Sequence, residues 1–149
     1  MRAVLQRVSE ASVTIDGRIV GAISKGWLAL IGVAKGDSVA DTAWLADKIL
    51  GARAFPDAEG KMNLSVNDIK GEILAVSQFT LLGDLRSGRR PGFSDAAAPA
   101  DADQLYNTVV GSLRASGLKI ATGIFQAHMA VSLINDGPVT LLLDSRKTF

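Results

Sequence analysis

This sequence predicts an α/β fold, a single layered domain of mixed β-sheets with two main helices, and three observations carry that expectation. Apolar segments with strand and helix periodicity alternate along the chain in the order several strands, helix, strand, helix, strands. A chain of 149 residues, 48% of them hydrophobic, buries one sizeable core and leaves little room for a second domain or a linker. The run Ile73-Leu74-Ala75-Val76 is apolar on both faces, which suits a central strand covered on both sides.

Arg2 to Val8 and Val13 to Ile15 read as strands, and Asp16-Gly17 turns the chain tightly into a third, Arg18 to Ile23. Trp27 to Ala34 supplies a buried strand. Ser38 with Asp41 is a capping-box variant, and Leu45, Ile49 and Ala52 recur at helical spacing, so a helix runs from about Ser38 to Gly51. The turn-like Asp57 to Lys61 precedes the central strand. Gly83 to Pro99 is rich in Gly, Ser, Pro and Arg, lacks periodicity and is long for a connection, which predicts a functional loop or flap. Asp101 with Gln104 caps a second helix, whose stripe is Leu105, Val109 and Leu113 and whose end is Gly117. Three strands remain, Lys119 to Ile124, His128 to Ile134 and Val139 to Leu143, the last two separated by the turn Asn135-Asp136-Gly137-Pro138.

Composition narrows the chemistry. Lys+Arg is 16 against Asp+Glu 15, so no overall basic field attracts nucleic acid and any RNA contact must be local. With no cysteine and one histidine, disulfide frameworks, thiolate nucleophiles and cysteine-ligated zinc are excluded, and neither a metal nor a cofactor is expected. The longest apolar run, Trp27 to Ala34, is too short to span a bilayer, and a soluble, cytoplasmic protein is expected.

A buried strand that ends in polar side chains presents them at the rim of its sheet, the usual place for an α/β active site. Ser77-Gln78-Phe79-Thr80 is such an end, and strand parity puts Gln78 and Thr80 on one face, Ser77 and Phe79 on the other. On these four residues alone, a site and a plain polar turn are equally good readings. Asn135-Asp136-Gly137-Pro138 reads first as a simple turn that needs no function. Its Gly-Pro bond, however, is of the type whose cis form costs only about 0.5 to 1 kcal/mol, and its glycine leaves the backbone open to a ligand. Arg7 shares a face with Ala3 and Leu5, where a guanidinium needs acceptors such as turn carbonyls or an outlet to water. A lone strand histidine such as His128 is more often packed or solvated than catalytic, and no role is assigned to it. Arg86, Arg89 and Arg90 with Phe93 suit phosphates and bases, although loop arginines also serve solubility alone.

Taken together, these segments resemble the bacterial D-aminoacyl-tRNA deacylases. The resemblance covers nearly the whole chain, through Gln6-Arg7-Val8, Ala11-Ser12-Val13, Asp57 to Asn63, Ser77-Gln78-Phe79-Thr80, Arg90-Pro91 with Phe93-Ser94, and Asn135 to Thr140. It implies a D-aminoacyl-tRNA deacylase-like fold and hydrolysis of the ester joining a D-amino acid to the terminal adenosine of tRNA. It further implies a homodimer without a metal, whose partner is the aminoacyl-tRNA 3′ end. The family's Ser-Gln-Phe-Thr segment falls on Ser77, Gln78, Phe79 and Thr80. Its cis Gly-Pro motif, set into the partner subunit's pocket, falls on Gly137 and Pro138, with Arg7 and Met129 in support. The chain departs from the pattern at Gly92, where a serine is common, at His128 before Met129, where an acidic residue is familiar, and in the tail Arg146 to Phe149.

An aminoacyl ester is already activated, and the neighbouring ribose 2′-hydroxyl assists attack by water, so positioning and oxyanion stabilisation by N–H groups around Phe79 and Thr80 suffice. The residues themselves leave two other readings open: a small-molecule esterase or amidase with Thr80 as nucleophile, and a noncatalytic RNA-binding module built on the arginine loop.

Overall fold

The computed structural model describes residues 1–149. Strand β1 (Arg2–Ile15) turns through Asp16-Gly17, both with positive φ as a type I′ hairpin requires, into β2 (Arg18–Ile23). Then come β3 (Gly26–Gly32), α1 (Val39–Gly51), the small hairpin of β4 (Phe55–Pro56) and β5 (Met62–Leu64), and β6 (Glu72–Ser77). A 3-10 turn (Phe79–Leu82), α2 (Pro99–Arg114), β7 (Ile120–Thr122) and β8 (Ala130–Asp144) complete the chain. β1 pairs antiparallel with β2, β3 and β8, whereas β3–β6 and β6–β7 are parallel, so the main sheet is mixed as expected.

The two-sided burial of β6 organises the core. Ile73 and Ala75 face α1 and α2, meeting Leu45, Ile49, Val109 and Leu113, all fully buried. Leu74 and Val76 face the other way, into a second cluster with Val8, Val13, Ile23 and Leu28, over which the sheet curls until β2 touches β7. The capping box at α1 forms: the Asp41 carboxylate accepts from the Ser38 N–H at 2.8 Å and from its hydroxyl at 2.9 Å.

Four sequence expectations are corrected. The segments Arg2 to Val8 and Val13 to Ile15 are one strand, because β8 runs along their common edge and pairs from Arg2 to Thr14. Asp101 does not cap α2; the helix starts earlier, with Ala98 as N-cap and Pro99 in the first turn, where a missing N–H costs nothing. Asp57 to Lys61 is a turn, but one flanked by the short strands β4 and β5, which residues this few in number did not signal. The stretch from Asn135 to Pro138 does not reverse the chain, and β8 passes straight through it. Gln6 pairs with Thr140 and Val8 with Asn135, so Arg7 alone on β1 faces the four residues Asp136 to Val139, which loop out of the ladder.

Candidate active site

β6 ends at Ser77 and the chain immediately tightens into the 3-10 turn. Strand parity therefore stops at Ser77, and the alternation expected through Thr80 does not apply. The turn is held against the end of β3: Gln78 N–H donates to the Ile31 carbonyl at 2.7 Å, and a side chain at Gly32 would come within 2.9 Å of the Gln78 carbonyl. Only glycine admits that approach. The first N–H groups of such a turn lack partners inside it, and no side chain caps them here. Phe79 is 57% exposed and stacks edge-on against Phe93, with ring centroids 4.9 Å apart. The hydroxyl of Thr80 accepts from the Gln78 carboxamide, a group that cannot act as a base.

Beside this turn lies a mostly apolar pocket of about 550 Å³. Ser77, Gln78 and Phe79 line one wall; Ala97, Tyr106, His128 and Met129 stand among the others. Burial pushes the Tyr106 hydroxyl up to about 12, and it donates to the Ala75 carbonyl at 2.9 Å, so it is a neutral structural donor. No group of three or more His, Asp or Glu side chains that would hold a metal ion occurs.

Arg7, Gly137 and Pro138 gather elsewhere. Arg7, its side chain 11% exposed, donates to the Ala54 carbonyl at 2.6 Å and to the Asp136 carbonyl at 3.0 Å, so of its two expected outcomes it takes main-chain acceptors and not an outlet to water. Gly137 has φ 128°, and a side chain there would meet the Arg7 guanidinium at 2.7 Å, so glycine is required on two counts. The Gly137-Pro138 bond is cis. Asn135 closes the loop-out: its Oδ1 accepts from the Val139 N–H at 3.3 Å while its Nδ2 donates to Gln6 Oε1 at 2.8 Å, and Thr140 donates to the same Gln6 oxygen. Gln6, Asn135 and Thr140 were not among the predicted site residues. An Asn heading a turn is a known signal for such an N–H acceptor, but Gln6 is joined to it only by the β1–β8 register.

Within one chain the two groups stand apart. Arg7 pairs with Trp27 and Trp27 with Ile73, at the end of β6 opposite Ser77. Four residues along a strand and two strands across separate them, about 13 Å and about 10 Å.

Comparison with known proteins gives this geometry its family. The D-Tyr-tRNA(Tyr) deacylase family model matches residues 4–144. The chain belongs to that family. Among the deacylase's relatives, the D-aminoacyl-tRNA deacylases of Desulfitobacterium hafniense and Thermotoga petrophila are 57% and 58% identical, each over 149 residues and 100% of both chains. That of Geotalea uraniireducens is 59% identical over 99% of this chain and 95% of its own. A solved structure of a c-Myc DNA unwinding element binding protein superposes with TM-score 0.91 at 40% identity, covering 97% of this deacylase and 98% of that chain. A probable eukaryotic D-amino acid tRNA deacylase shares the fold, with TM-score 0.80 at 15% identity over 95% and 97% of the two chains. The deacylase is thus a hydrolase that removes D-amino acids from tRNA, which sets aside the noncatalytic module.

Proposed function

We propose that the deacylase works as a homodimer in which the Gly137-Pro138 main chain of one subunit enters the partner's pocket, beside its Ser77 to Thr80 turn. The observation that carries this reading is the separation of the two groups within one chain, since a second copy supplies what each site lacks. Gly137 and Pro138 stand on a loop-out from the ladder, held from behind by Arg7 and Asn135, which suits an inserted wall. Met129 lines the same pocket as Phe79.

The D-aminoacyl ester sits with its carbonyl oxygen on the N–H groups of Phe79 and Thr80. Water, assisted by the ribose 2′-hydroxyl, adds to the carbonyl carbon; the C–O bond to the ribose then breaks, the ribose oxygen takes a proton, and free D-amino acid and tRNA leave. Thr80 as a nucleophile is disfavoured, because its hydroxyl neighbour, Gln78, offers no base to take the proton. The tRNA setting implies the cytoplasm; no helix is long and apolar enough to cross a membrane.

Subunit mixing tests the shared site. Gly137→Ala collides with Arg7 and shifts the inserted loop onto the ester's place in the partner's pocket, while Phe79→Pro disables the oxyanion N–H; each homodimer is expected to be nearly inactive. Refolded together, they form mixed dimers in which one of the two sites is intact, so D-aminoacyl-tRNA hydrolysis returns. Persistent inactivity of verified mixed dimers would show that each chain builds its site alone.

A further inference from the structure

We propose that Arg89 and Arg90, at the tip of the Gly83 to Pro99 loop, bind the backbone phosphates of the nucleotides preceding the substrate's terminal adenosine. This rests on the reading above, in which that adenosine's ester occupies the pocket beside Phe79.

The loop is anchored to the site at both ends. At its start Gly83 N–H donates to the Thr80 carbonyl at 3.0 Å; at its end Ala97 N–H donates to the Val33 carbonyl at 3.0 Å, and Ala96, Ala97 and Pro99 line the pocket. Between them Asp84 and Gly92 exchange two hydrogen bonds, both 2.8 Å, and Phe93 packs on Phe79. The tip is therefore a short ribbon projecting from the pocket's own rim.

Its three arginines are not equivalent. Arg86 folds back on Asp84, with Nη2 at 2.7 Å and Nε at 2.9 Å from the carboxylate, and is already neutralised. Arg89 and Arg90 are exposed, make no ion pair and donate no side-chain hydrogen bond. Two adjacent cations on a tight ribbon repel each other and add nothing to the fold, whereas a planar guanidinium fork matches phosphate oxygens. Lys35, whose N–H donates to the Asp95 carbonyl at 2.9 Å, places another exposed cation at the loop's base. A chain with a net charge of only +1 thus keeps unpaired positive charge at the mouth through which an acceptor strand must enter.

The test compares the double variant Arg89→Ala/Arg90→Ala with wild type on two substrates: a D-aminoacyl-tRNA, and the same D-amino acid esterified to adenosine, which has no phosphate. On tRNA, KM is expected to rise at least tenfold near physiological salt with kcat little changed. The dependence of log kcat/KM on log salt is expected to become shallower by about 1.4, from two contacts at about 0.7 each on a single strand. On the adenosine ester the double variant and wild type are expected to coincide. An unchanged KM and salt slope on tRNA overturn the proposal and leave the deacylase reading intact. Equal losses on both substrates also overturn it, showing that the loop acts through pocket shape. Wild type inert toward the charged tRNA would defeat the functional reading itself.

Discussion

In the proposed mechanism Phe79 carries the most chemistry per residue, and its main chain and side chain are separable. It occupies the first position of the 3-10 turn and follows Gln78, whose φ of −146° and ψ of 82° lie well outside the α region that a following proline disfavours. Phe79→Pro therefore removes one N–H with little backbone disturbance, while Phe79→Ala removes only the stacking on Phe93. If the N–H group holds the oxyanion, Phe79→Pro is expected to lower kcat by about 10²–10³-fold and Phe79→Ala by far less, with kcat measured on saturating D-aminoacyl-tRNA. Comparable kcat values for the two variants would move the oxyanion site elsewhere.

Elements, rather than single residues, determine how the site end of the sheet is held. There the α1 capping box joins the ends of β1 and β8: Ser145 donates to Asp41 Oδ1 at 2.6 Å and receives the Met1 ammonium at 2.6 Å, and that ammonium also pairs with the buried Asp37 at 2.8 Å. The Ser145 hydroxyl, with the Ser38 backbone and hydroxyl, lowers the Asp41 carboxyl from 3.8 to about 2. A carboxyl depressed by folding contributes stability above its unfolded pKa and loses that contribution as pH falls through the folded one. Asp41→Asn is thus expected to cost about 1 kcal/mol at neutral pH, as helix caps do, and to flatten the fall in stability between about pH 4 and pH 2. Urea unfolding midpoints measured across that range check both parts. An unaltered acid profile would assign the effect to other carboxylates.

For the whole molecule, chirality is the property that the proposed pairing of two subunits would supply. D and L amino acids exchange hydrogen and side chain at the α-carbon while ester and amine stay in place, so one wall in the L direction discriminates without reading side-chain identity. With the partner's Gly137 and Pro138 as that wall, any L residue larger than glycine collides, and glycine has nothing to exclude. Glycyl-tRNA is accordingly expected to be hydrolysed along with D-alanyl-tRNA, while L-alanyl-tRNA resists. The measurement is release of amino acid from the three charged tRNAs by the wild type, and glycyl-tRNA as resistant as L-alanyl-tRNA would refute the wall.

The mixed sheet, its two helices, the central place of β6 and the Ser38–Asp41 cap were legible in the sequence, because periodicity and capping are local properties of neighbouring residues. For Arg7 the sequence left two outcomes open, turn carbonyls or an outlet to water, and only the fold, by placing the Ala54 and Asp136 carbonyls beside it, decided for the first. Other features depended on pairing between residues far apart in the chain. β1 is continuous because β8 lies along it, and Asp136 to Val139 is a loop-out because Gln6 and Val8 set the register on either side. Gln6 joins the site through that same register, and Ser77 leaves strand parity behind because Gly32 lets the turn close on β3. Above all, only the register showed that the two halves of the predicted site lie at opposite ends of the sheet, for distance across a sheet depends on which strands pair and is not written in their spacing along the chain.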